Sequence, residues 1–183
     1  MKTKLLILVL ALQTAWILGT AFTQEHILRS GQLILLETQP VDPRDFLRGD
    51  FVRLNYKISD VPREKFFAPP LNGDLPSGTT VYVALVPTGT NDFYTVTRAS
   101  TGWFSLASNE VLLRGRAAEN WRNRVGSVHV EYGLEKYFVA EGTGKPHGKL
   151  TVQAAVAKSG QATIKQIFVD GVPYAEAMKK SGN

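Results

Sequence analysis

Cysteine is absent from this chain. That excludes a disulfide framework, thiol catalysis, a cysteine-built zinc site and a lipid-modified cysteine anchor. It assigns no compartment, because a reduced cytosol and an exported domain both tolerate the absence. Histidine is scarce: His26, His129 and His147 are scattered, with no H-E-x-x-H spacing, so no histidine metal motif is present. There is no G-x-S-x-G elbow, and no serine stands in a distinctive context. "GTGKPHGK" lacks the full phosphate-loop pattern and a helix to follow it, and reads as a surface connection. Strong charge of one sign is missing too. The formal net charge is +5, a mild basic excess compatible with an anionic membrane surface. It is not gathered into the footprint of a nucleic-acid binder. No cofactor, no metal and no nucleic-acid partner is therefore expected.

What is present begins at the N-terminus. Lys2 and Lys4 precede "LLILVLALQTAWILGTAF", residues 5–22, which holds no charge and no proline. Eighteen residues at about 1.5 Å each span roughly 27 Å, near the thickness of a hydrocarbon core. A cleaved signal peptide would use a shorter apolar stretch, with Gly19, Thr20 and Ala21 as the small residues before the cut. The longer run favours a retained anchor with its juxtamembrane segment over residues 1–30, the helix continuing through "TQEHILRS". The positive-inside rule keeps the lysines in the cytoplasm. The expected location is the cytoplasmic (inner) membrane, single-pass, with residues 31–183 in the periplasm or outside the cell. Cleavage would instead give a secreted protein.

From Gln32 onward apolar residues recur with period two, and turn residues separate the runs. "QLILLET" and "DFVRLNYKIS" are the first two candidate strands. In the second, Val52, Leu54, Tyr56 and Ile58 share one face, which predicts core. "VPREKFFAPPLNGDLPSG" reads as an irregular connection. "TVYVALVP" and "FYTVTRAS" flank a hairpin turn, and "VLLRGRA" is a further strand. "AAENWRNR" is either two helical turns or a loop. "SVHVEYGLEKYFV" places Val128, Val130 and Tyr132 opposite His129 and Glu131, with a bulge or bend at Gly133. "KLTVQAAVAKSGQATIKQIFVDGVPY" is the clearest hairpin, and the polar tail "AEAMKKSGN" is at most briefly helical. These runs predict a mainly β protein. An N-terminal transmembrane helix leads into a mostly antiparallel, β-rich extracytoplasmic domain, as a curled sheet or a sandwich.

"GDFVRLNYKI" resembles the signature of the GDYXXLXY family, an uncharacterised group of bacterial membrane-anchored proteins. Gly49, Asp50, Leu54 and Tyr56 match it, and Phe51 stands where the family has Tyr. "PVDPRDFLRGD", "LLRGR" and "EYGLEKYFVAEG" are similar to further blocks of that family, and the resemblance spans most of the chain. It implies an anchor followed by a β-rich extracytoplasmic domain. It implies no activity and no catalytic residues. The signature has a structural explanation of its own. Gly49 permits a tight turn, Asp50 can accept a backbone N–H there, and Leu54 and Tyr56 fall two apart on the buried face.

Two polar blocks stand out. "DPRDFLRGD" supplies Asp42, Arg44, Asp45, Arg48 and Asp50. "EYGLEKYFVAEG" supplies Glu131, Tyr132, Gly133, Glu135, Tyr137 and Glu141. The plain reading is turn-capping and ion pairing; the sharper one is a binding site for a ligand or partner. Arg48-Gly49-Asp50 also spells a cell-adhesion tripeptide, but Asp50 opens a predicted strand rather than a loop tip. The expected function is a membrane-anchored accessory or binding protein that partners an integral membrane protein. The alternative is an envelope hydrolase drawing Asp, Glu and Tyr from the two blocks. That would need carboxylates at a defined separation, so no catalytic residue is assigned.

Overall fold

The computed structural model describes residues 2–39, 51–67, 75–89, 92–118, 126–139 and 148–181. Its first element is α1 (Lys2–Ser30), a continuous helix of 29 residues and about 43 Å. The large apolar side chains of residues 5–22 stand exposed along it. Among the described residues it is the one helix long and apolar enough to cross a membrane, a measure that a signal sequence also meets. Only its far end turns inward, where Ile27 is buried.

Most of the remaining described residues form antiparallel sheets. A four-stranded sheet contains β1 (Gln32–Glu37), β9 (Leu150–Val156), β10 (Ala162–Val169) and β11 (Val172–Pro173), in that order. A five-stranded sheet has the order β3 (Asp60–Pro62), β7 (Ser127–Glu131), β6 (Val111–Ala117), β4 (Thr80–Pro87) and β5 (Tyr94–Ser100). The chain leaving β3 crosses to the opposite edge, where Phe66 bridges Ala99 of β5, so this sheet nearly closes on itself. A short pair, β2 (Phe51–Arg53) with β8 (Lys136–Phe138), completes the set. Bridges from Leu35 to Phe93 and from Thr38 to Tyr56 tie the sheets together. The last element, α2 (Tyr174–Ser181), is a short helix.

Period-two burial builds the core. Val81, Val83 and Leu85 of β4 are fully buried and face Leu113 and Val130 from neighbouring strands. Fully burying such a side chain contributes about 1.5–3 kcal/mol. One contiguous cluster of buried side chains runs from Ile34 to Tyr174.

The second expected strand is shorter than its pattern. The ladder of β2 ends at Arg53, and residues Lys57–Ser59 form a single 3-10 turn. Val52, Leu54, Tyr56 and Ile58 are nevertheless all buried. Alternation reports extended backbone on a core, and among the described residues only β8 offers this segment a ladder. The "SVHVEYGLEKYFV" run divides into β7 and β8 around Gly133, as its glycine suggests. The "AAENWRNR" segment lies almost wholly outside the described residues.

Candidate functional site

The "FVRLNYKI" segment and the "EYGLEKYF" segment are brought together. β2 pairs with β8, and the Leu54 N–H donates to the Glu135 carbonyl at 2.8 Å. The Tyr56 hydroxyl donates to the Leu134 carbonyl at 2.7 Å. In return, the Tyr132 hydroxyl reaches the Ile58 carbonyl at 2.8 Å. Both phenols are buried, and burial first, then the Glu135 charge, pushes their pKa values well up. They are buried groups whose hydroxyls are satisfied by backbone carbonyls of the opposite segment.

Glycines shape the ground next to this junction. A Cβ at Gly115 would lie 2.5 Å from Val130 Cγ1 and 2.7 Å from the Glu131 carbonyl oxygen. Only glycine lets β6 and β7 approach there. Gly133 adopts φ +80°, a left-handed bend that glycine enters without strain. The bend returns the chain so that the Glu135 carboxylate accepts the Tyr132 N–H at 2.6 Å. Nearby, the Arg114 N–H donates to the Gly160 carbonyl at 2.8 Å, which fixes the β9–β10 turn against β6.

The result is a cleft of about 430 Å³, lined chiefly by Arg114, Arg116, Glu131, Tyr132, Glu135 and Gln161. Arg114 and Arg116 project from the outer face of β6, whose residues at 113, 115 and 117 face the core. Arg116 stands opposite Glu131 in the β6–β7 register. Glu135 is half-buried, and desolvation raises its carboxyl above the ordinary value, with the Glu131 charge adding to the effect. Two guanidiniums, one exposed carboxylate and one desolvated carboxyl can bind an anion and accept hydrogen bonds from its neighbouring groups.

A second cavity, of about 510 Å³, is lined by Leu54. Glu37 binds Lys149 Nζ at 2.6 Å and Lys57 Nζ at 2.7 Å there. These contacts, Lys149 foremost, hold its carboxyl below the ordinary range. Arg53, Gln39 and Asn55 complete its polar wall.

Of the residues singled out from the sequence, Glu131, Tyr132, Gly133 and Glu135 share the first cleft, and Leu54 lines the second. Tyr56 lies in the core. Tyr137 packs edge-on against Tyr174 at 6.0 Å, away from both cavities. Asp42, Arg44, Asp45, Arg48, Gly49, Asp50 and Glu141 lie outside the described residues. Sequence reasoning missed the two arginines as site residues. Their one signal is a glycine set between alternate basic residues inside a strand, where it marks close backbone approach. Lys57 and Lys149 meet at Glu37 with no local sequence sign. Among the described residues no group of three or more His, Cys, Asp and Glu could hold a metal ion.

A family model described as GDYXXLXY protein matches residues 13–167. Comparison with curated proteins finds no match, and comparison with solved structures finds none either.

Proposed function

We propose that this chain, which belongs to the GDYXXLXY family, is a membrane-anchored accessory or binding protein. Its β-rich part stands on the outer side of the cytoplasmic membrane and engages an integral membrane partner. The observation that carries this reading is the join between α1 and the sheet. The Gly31 N–H continues the helix by donating to the Ile27 carbonyl at 2.8 Å. Ile27 is buried, and Thr163 of β10 hydrogen-bonds Gln24. The helix thus runs without a break from residues able to span a bilayer into residues packed on the β9–β10 hairpin. A signal peptide destined for removal needs no such packing; a retained anchor is held rigidly by it. Lys2 and Lys4 support a cytoplasmic start. The short tether favours a partner in the same membrane.

Crosslinking in native membranes tests the proposal. The expected product joins the chain to one integral membrane protein. Capture of soluble proteins alone, with the chain recovered in the soluble fraction, contradicts it. A second reading, an envelope hydrolase, draws on Glu135, a carboxyl raised by burial beside two arginines. Raised carboxyls in clefts suit general acids. If Glu135→Gln folds normally yet fails to complement a deletion strain, the hydrolase reading takes precedence.

A further inference from the structure

We infer that the cleft between β6, β7 and the β9–β10 turn binds the phosphodiester headgroup of a membrane lipid. Arg114 and Arg116 grip the phosphate, and Glu131 accepts from the headgroup's ammonium or hydroxyl groups. Three observations carry the inference.

The first is the geometry of the arginines. Being alternate residues of β6, they point to the same side, about 7 Å apart along the strand. Two planar guanidiniums at that separation can bracket a tetrahedral anion with paired N–H donors.

The second is their availability. Both side chains are exposed, and among the described residues neither takes part in an ion pair. Neither carboxylate that shares the cleft is bonded to them. Glu135 is engaged by the Tyr132 N–H, and Glu131 is exposed opposite Arg116 without bonding to it. A site with open donors and an open acceptor fits a group that carries both a phosphate and a hydrogen-bond donor.

The third is position. Gln161 and Ala162 form one lip of the cleft. Ala162 pairs with Val156, which pairs with Gln32, the residue that opens β1 just after α1. The lip is therefore two strand spacings, roughly 10 Å, from the end of the helix. The next residue, Thr163, bonds Gln24, two positions beyond the apolar run that ends at Phe22. Headgroups lie where that run ends.

The inference rests on the anchored reading only for the source of its ligand, since a chain freed from the membrane would still meet soluble phosphodiesters. The test uses the full chain in detergent micelles, loaded with phosphatidylethanolamine or phosphatidylcholine, with retained lipid read by native mass spectrometry. The quaternary ammonium of phosphatidylcholine has no donor for Glu131. Wild type should retain phosphatidylethanolamine about tenfold better, equivalent to about 1.4 kcal/mol. The double variant Arg114→Gln/Arg116→Gln should lose retention of both lipids about tenfold while its lipid-free melting temperature stays unchanged. Glu131→Gln should erase the preference and keep the binding. A parallel arm measures the melting shift produced by soluble glycerophosphoethanolamine. A shift in wild type that is absent from the double variant supports the phosphodiester chemistry independently of anchoring. A shift with the soluble ester but no lipid retention overturns the lipid assignment. Equal behaviour of wild type and double variant in both arms overturns the site.

Discussion

Tyr56 carries two separable contributions. Its ring is fully buried, and its hydroxyl satisfies the buried Leu134 carbonyl. Losing a buried aromatic ring costs about 3–5 kcal/mol. Losing the hydroxyl alone removes one bond and strands its acceptor, about 1–2 kcal/mol. Tyr56→Phe should therefore melt moderately below wild type and Tyr56→Ala far below it, both read as thermal melts of the full chain in micelles. Glu135 behaves in the opposite sense. Its folded carboxyl binds a proton more tightly than the unfolded one. Stability is thus greatest below the unfolded value and declines as pH rises through the window above it. Glu135→Gln keeps an oxygen to accept the Tyr132 N–H and removes the desolvated charge. The variant should melt at or above wild type at pH 7, and that advantage should vanish near pH 4. A variant that melts lower at pH 7 would mean the ionised carboxylate is favourably paired.

At the scale of elements, the β6–β7 approach depends on Gly115. Gly115→Ala puts a methyl 2.5 Å from Val130 Cγ1 and 2.9 Å from Tyr132 Cδ1. Overpacking of that kind costs about 1–3 kcal/mol, and a melting temperature equal to wild type would refute the close approach. The connection from β5 to β6 has its own clamp. Arg98 donates to both carboxylate oxygens of Glu110, at 3.1 and 2.6 Å, and stacks on Phe104 at 4.7 Å. The guanidinium lowers the Glu110 carboxyl from 4.5 to about 2. This stabilisation is complete above the unfolded value and is lost as pH falls through the folded one. The Ala107 N–H, bound to Glu110 at 2.9 Å, should stay protected from hydrogen exchange at pH 6 and lose protection as pH falls from about 4.5 towards 2. Exchange that does not depend on pH once intrinsic rates are corrected would contradict the clamp.

The strands were legible in the sequence because alternation is local: Val81, Val83 and Leu85 announce β4 without reference to any partner. The same signal overran at residues 54–58, where a buried face persists after the ladder ends. The cleft was only half legible. Glu131 and Glu135 stand out as a polar block, but their meeting with Arg114 depends on strand order and on a turn that reaches across from the other sheet. No local pattern encodes either.

For the whole molecule, the decisive feature is that helix and sheet form one continuous packed unit at Ile27 and Gly31. Ile27→Asp would bury a carboxylate against the β9–β10 hairpin, a change that costs several kcal/mol unless the packing opens. It should leave the chain in the membrane while exposing the hairpin to proteolysis. The central claim is that α1 stays attached and holds the β-rich part on the membrane. The most direct measurement is the intact mass of the protein recovered from alkaline-carbonate-washed membranes. A mass that includes residues 5–22 is predicted. A chain beginning at or after Phe22 and released into the wash would contradict the account.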